Sequence, residues 1–151
     1  MQTLSCWLTT FAMAGYSGTP LLQKLGVKSG FVVVTLNAPT NYRKLLGKLP
    51  DHVSFSDCIA ANSTFVHLFS TNRNDLEKKL PILREKISDN GTIWVSWPKK
   101  SANIPTDITE DVVREIALPL GLVDIKVCAV DETWSGLKLM IRRENRKSKT
   151  K

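Results

Sequence analysis

Cysteine is scarce in this chain of 151 residues: Cys6, Cys58 and Cys128 are odd in number, far apart and without a C-x-x-C pair. That excludes a disulfide-stapled secreted scaffold and a zinc-ribbon framework, and points to a reducing compartment with inert thiols. No run approaches the roughly 18 apolar residues that a membrane-spanning helix needs. No Ser/His/Asp order, metal-ligand spacing or Walker-type phosphate loop is present either, so the common hydrolase, metalloenzyme and NTPase signatures are excluded. What remains is a chain with 42% hydrophobic residues, the size of one domain with a full core. The expected location is the cytoplasm.

The formal charge of +7 is unevenly spread. Between Arg142 and Lys151 six basic residues face only Glu144, which leaves +5 in the tail and +2 in the rest. A tail rich in Lys, Ser and Thr with nothing apolar after Ile141 reads as a disordered basic end. Its usual role is to keep a chain end soluble, and contact with nucleic acid is the alternative. At the other end, residues 1–13 read as a disordered leader. Ala12 and Ala14 have signal-peptidase spacing, but no Lys or Arg precedes the short apolar stretch, and Met13 offers a second start.

The body alternates between two periods. Continuous β-branched or apolar runs at residues 31–36, 64–69 and 92–97 read as strands buried on both faces, with a shorter one at 53–56. Between them, helical spacing covers residues 41–48 and about 75–88, with Leu76, Leu80, Leu83 and Ile87 inward. Pro81 is expected to kink or divide the second of these, and Asp89, Asn90 and Gly91 to form the following turn. A short helix opens at Thr19 or Pro20 and ends at Gly26. Another starts with Asp107 and Glu110 as a capping box, or with Thr109 as the cap, and ends at Pro119 and Gly121. Residues 122–130 and 137–143 read as an antiparallel hairpin joined through residues 131–136. Strands alternating with helices predict an α/β, Rossmann-like three-layer domain over residues 14–143, a mostly parallel sheet with a C-terminal antiparallel hairpin.

This order, with Asn90, Gly91 and Thr92 leading into the strand at residues 92–97 and Gly121 before the one at 122–130, resembles the S-adenosylmethionine-dependent methyltransferase fold. The resemblance implies an acidic residue and a G-x-G turn after the first strand, where the backbone approaches the cofactor. Here Leu36 is followed by Asn37, Ala38, Pro39, Thr40 and Asn41, with no glycine. Pro39 removes a donor and Ala38 adds a Cβ. Asp57, after the second strand, occupies the place that the resemblance gives to the ribose-binding carboxylate; a solvated strand-end aspartate is the other reading. The segments AGYSGTPL (14–21), LNAP (36–39), WVSWPKK (94–100) and DIKVCAVDETWSGLK (124–138) also resemble a family of bacterial proteins of unknown function. That likeness implies a fold and supplies no activity. S-adenosylmethionine is thus a cofactor the fold implies and the first loop does not favour.

Ligands of open α/β sheets bind past the carboxyl ends of the parallel strands. That edge is expected to gather Asn37, Thr40 and Asn41, then Ser70, Thr71, Asn72 and Arg73, then Ser96, Trp97, Lys99 and Lys100. Such a rim is polar and cationic with an aromatic wall, suited to a phosphate or carboxylate ligand or to a protein partner. Ser17, Gly18 and Thr19 precede a helix start, where free N–H groups take an anion or where Thr19 simply caps. Asp131, Glu132 and Trp134 in the closing hairpin are a candidate partner contact. His67 reads as a neutral core histidine, and Asp107, Glu110 and Asp111 as first-turn carboxylates placed by capping and the helix dipole. Nothing in the sequence decides between a binding domain and a catalyst.

Overall fold

The computed structural model describes residues 20–146. Its elements in chain order are α1 (Leu21–Leu25), β1 (Val32–Leu36), α2 (Tyr42–Leu46), β2 (Ser54–Ser56), β3 (Ser63–Phe69), α3 (Arg73–Lys86), β4 (Ile87–Pro98), α4 (Glu110–Ala117), β5 (Leu122–Ala129) and β6 (Trp134–Ile141). They form one six-stranded sheet in the order β2-β1-β3-β4-β6-β5. The first four strands run parallel, and β6 is antiparallel to both β4 and β5, so the sheet is mostly parallel and closes in a hairpin as expected.

Period-2 alternation splits the strand residues between two cores. Val34, Val66, Leu68, Ile93, Val95, Leu137 and Leu139 face α3 and α4, which contribute Leu76, Leu80, Leu83, Val113 and Ala117. Val33, Phe65, Phe69 and Trp94 face the other way, against Leu25 of α1 and Tyr42 and Leu46 of α2. Trp94 Nε1 donates to the Leu25 carbonyl at 3.0 Å, which pins the end of α1 to the middle of the sheet.

Several local expectations change. Pro81 lies inside α3 without dividing it, although proline in a helix interior costs about 3 kcal/mol. Leu76, Leu80 and Leu83 are buried on the same helix, and each contributes roughly 1.5–3 kcal/mol by burial, so packing outweighs the break. The turn expected at Asp89, Asn90 and Gly91 is instead part of β4. Ile87 already pairs with Ser63, Thr92 pairs with Phe65, and residues 88–91 bulge out between those two registers. Gly91 is required there by close approach, since a Cβ would stand 2.5 Å from Ile87 Cγ1. Trp134, Ser135 and Gly136, expected in the hairpin connection, open β6 and pair with β4 and β5.

Of the two caps expected for α4 the structure uses Thr109. Thr109 caps α4, its side chain accepting from Val112 N–H, while Asp107 Oδ1 accepts from the Arg73 backbone N–H at 2.7 Å and so serves the start of α3. Gly26 and Gly121, both at φ +83°, close their helical segments in the left-handed conformation that glycine adopts without strain. At the C-terminus, Arg143–Asn145 makes one 3₁₀ turn and Arg146 Nε donates to the Ile141 carbonyl at 2.8 Å. The leader 1–13, the segment Ser17 to Thr19 and tail residues 147–151 lie outside the described residues. Among the described residues no helix is long and apolar enough to cross a membrane.

Candidate functional site

Beyond Leu36 the chain must leave the sheet and turn toward α2. Asn37 makes that turn with φ +59°, in the left-handed region. Asparagine tolerates this conformation better than other non-glycine residues, so the bend that a glycine would otherwise make here is made by an asparagine. Asn41 precedes α2 at the N-cap position, but its side chain makes no capping bond and stays exposed.

Asn37 stands between two clefts at this sheet edge. One, of about 320 Å³, is walled by Phe69, Ser70, Thr71, Asn72, Asp75 and Trp134. The other, of about 420 Å³, is formed by Thr35, Leu36, Asp57, Ile59, Lys79, Ile82 and Leu83. Asn37 lines both. Each volume lies within the roughly 300–1,000 Å³ usual for small-molecule sites.

The first cleft is built on the loop from β3 to α3. Ser70 is buried; its N–H donates to the Ser96 carbonyl at 3.0 Å, and its hydroxyl lies 3.2 Å from both the Asn72 carbonyl and Asp75 Oδ2. Asn72 caps α3 by accepting from Asp75 N–H. The Thr71 carbonyl accepts from Thr106 Oγ1 at 2.8 Å. Arg73 turns away from the cleft: its guanidinium meets Glu77 at 3.0 Å and Glu115 at 3.1 Å, so its charge is spent on the helix surface.

Trp134 supplies the aromatic wall. Its ring stands edge-on to Phe69 with centroids 5.0 Å apart, which holds the half-buried indole beside Ser70 and Asn37. Asp131 is what places it. Asp131 Oδ1 accepts from the Thr133 and Trp134 backbone N–H groups at 2.8 Å each, a side-chain turn that starts β6. Glu132 is exposed beside it.

Ser96 and Trp97 do not stand on the rim. Trp97 is buried in the core on the α3/α4 side. Ser96 is fully buried, with Oγ 2.7 Å from His67 Nε2, and His67 Nδ1 is 2.8 Å from Tyr42 Oη. Desolvation pulls the His67 pKa from 6.5 down to about 3, so the ring is a neutral strut from β4 through β3 to α2. Lys99 is tied through its backbone N–H to the Thr133 carbonyl at 2.8 Å, and Lys100 opens an exposed 3₁₀ turn. Neither lysine lines either cleft.

The structure therefore joins Asn37, Ser70, Thr71 and Trp134 in one cleft and moves Arg73, Ser96 and Trp97 out of it. It adds Phe69 and Asp75 there, while Asp57, already noted in the sequence, lines the other cleft. Asp57 is exposed at the end of β2, as its place in the sequence implies. Asp75 pairs with Lys79 at 3.2 Å. Between them the two clefts carry two carboxylates, one lysine and an indole.

Comparison of the whole fold agrees with this architecture. A SAM-dependent methyltransferase from Aquifex aeolicus superposes with a TM-score of 0.58 at 16% identity, over 80% of this chain and 87% of that one. The ribosomal protein L11 methylase of Lactobacillus delbrueckii subsp. bulgaricus gives 0.52 at 10% identity, over 81% and 75%. At these identities the likeness shows a methyltransferase-like fold and nothing finer. No family model matches the chain, and no curated protein does.

Proposed function

We propose that this protein is a divergent methyltransferase-fold domain that binds a nucleoside-type small molecule, such as S-adenosylmethionine or S-adenosylhomocysteine, across the two clefts that meet at Asn37. The observation that carries the reading is the placement of Asn37, in the left-handed conformation, between the Asp57 cleft and the Trp134 cleft. Asp57 accepts the ribose hydroxyls, Trp134 offers a face or edge to a flat ring, and the Asn37 amide bonds the group between them.

The residues present fit the nucleoside better than they fit a full cofactor cradle. Pro39 offers no N–H, and Ala38 carries a Cβ that packs into the core beside α2. S-adenosylmethionine, when bound, supplies an electrophilic methyl group. This chain's part is to orient it with Asn37 and Asp57 and to exclude water with Ile59, Phe69 and Trp134. Among the described residues the cleft carboxylates are Asp57 and Asp75, and Asp75 is engaged by Lys79. The reading is therefore a binding domain, with no proton-transfer role assigned.

Thermal shift against S-adenosylmethionine, S-adenosylhomocysteine, adenosine and inorganic phosphate tests it. A ligand at a thousand times its dissociation constant adds about 4 kcal/mol, which raises Tm by roughly 10 °C for a chain of this size. The nucleosides are expected to shift wild type and to fail with Asp57→Ala. A response to phosphate alone would favour the other reading of this edge, an anion site on the exposed Lys100.

A further inference from the structure

The carboxylates are unevenly shared between the two layers that cover the sheet. No Asp or Glu occurs before Asp51, while Lys24, Lys28, Arg43, Lys44 and Lys48 all fall in that stretch. These five belong to α1, α2 and their flanking turns, which pack on one face of the sheet. The ion pairs centred on Arg73, Lys79 and Arg114 all lie on the other side, within α3 and α4 and from α4 to Asp124.

The hairpin extends the basic face. Lys126 and Lys138 are direct cross-strand partners, and Lys138 also pairs with Trp94, whose side chain packs under α1. Cross-strand partners share a face, so both lysines project on the α1 side. Like charges directly opposite are normally destabilising. Burial first, and then the charges of Lys126 and Lys28, pull the Lys138 ammonium below its ordinary pKa, which sets all three lysines in one field. Burial pushes the neighbouring Cys128 thiol up, and the charges of Lys24 and Lys126 oppose that rise. Lys126 and Lys138 thus stand together on the face that α1 covers, with Lys24 on α1 and Lys28 in the turn after it, and the α1/α2 layer supplies no carboxylate before Asp51, whose carbonyl accepts from Gly30 N–H.

The chemistry of this face selects its occupant. The exposed large apolar side chains are Val32, Ile82, Ile104, Leu118, Ile125 and Val127. Val32 shares its face with Val34, Val127 pairs with Leu137, and Ile82 and Leu118 belong to α3 and the end of α4, so these four lie on the α3/α4 side. A membrane-inserting surface needs apolar anchors beside its cations, and a protein interface needs an apolar centre. None of the six belongs to α1 or α2, and lysines on such a layer suit the repeated point charges of a phosphate backbone.

We propose that the α1/α2 face, with Lys24, Lys28, Lys126 and Lys138 at its centre, is a docking surface for the phosphate backbone of a nucleic acid, bound without sequence preference. It is independent of the clefts at Asn37 and uses none of the basic residues from Arg142 to Lys151.

The test is fluorescence anisotropy of the full chain with a short labelled RNA, single-stranded and duplex, across a salt series. Each neutralised phosphate adds about 0.7 to 0.9 to the slope of log K against log salt. A full-chain variant with Lys24, Lys28, Lys126 and Lys138 changed to Gln is expected to lose about 3 from that slope with Tm unchanged or higher. A second variant, Lys24→Gln with Lys28→Gln, avoids the strands should the first fold poorly, and is expected to lose about 1.5. Binding unchanged in both variants overturns the proposal. So does binding abolished by changing Lys147, Lys149 and Lys151 to Gln alone, or binding to anionic phospholipid vesicles in the absence of RNA binding.

Discussion

His67 Nε2 lies 2.7 Å from Ser96 Oγ, and the two residues sit on neighbouring strands with no exposure to solvent. With Tyr42 Oη 2.8 Å from the other ring nitrogen, both nitrogens of a buried imidazole are satisfied. In either neutral tautomer one nitrogen donates and the other accepts. Ser96→Ala leaves a buried ring nitrogen unpaired and is expected to cost about 1–3 kcal/mol in urea denaturation. Tyr42→Phe removes the opposite partner at similar cost. The double variant costs less than the sum, because one strut is broken twice. Full additivity would show that the three residues do not act as a chain.

The same ring makes stability acid-sensitive in a defined window. The unfolded His67 titrates near 6.5 and the folded one near 3, so the unfolded state binds more protons between those values. The stability that the neutral ring contributes is fully present above 6.5 and is lost as the pH falls, by up to about 1.4 kcal/mol per unit. Denaturation midpoints from pH 7 to 4 are expected to fall steeply for wild type and less steeply for His67→Gln, which cannot take up the proton. Parallel curves for the two proteins would show that the ring is already charged in the fold.

Asn37→Gly separates backbone from side chain. Glycine adopts φ +59° freely, so Tm is expected to hold within a degree or two, whereas Asn37→Ala pays about 1–2 kcal/mol for the left-handed conformation. Both are expected to weaken nucleoside binding, because both lose the amide between the clefts. Intact binding in Asn37→Gly would reduce the residue to a turn former.

Asp107→Ala tests a long-range cap. The carboxylate accepts from the first N–H of α3 and not from its own helix, so its loss is expected to cost about 1 kcal/mol and to increase amide exchange at Arg73. Increased exchange at the start of α4 instead would return Asp107 to the capping box read from the sequence.

What the sequence showed plainly was whatever depends on near neighbours. The apolar runs at β1 and β3 and the glycine stops at Gly26 and Gly121 are local signals, and each produced the expected element. Pro81 was misleading because its local cost is overridden by three leucines that meet the sheet. The Asp89, Asn90 and Gly91 turn was misleading because the pairing of Ile87 with Ser63 is a long-range contact. The site followed the same division. Asn37, Ser70 and Thr71 sit at strand ends and were found there. Trp134 was noticed in the hairpin, and only the pairing of β6 with β4 brings it to the same edge. Ser96 alternates with Trp94 and shares its face, yet that it meets His67 depends on the register of β3 against β4. Arg73 looked available until Glu115, far along the chain, came to meet it.

The most direct measurement is a two-dimensional amide NMR titration of the full chain with S-adenosylhomocysteine. The account predicts shifts concentrated at residues 35–37, 57–59, 69–72 and 134, around the joined clefts. Shifts confined to the opposite sheet edge, where Asn62, Asn90 and Asn145 line a polar cleft of about 460 Å³, or no shifts at millimolar ligand, would contradict it.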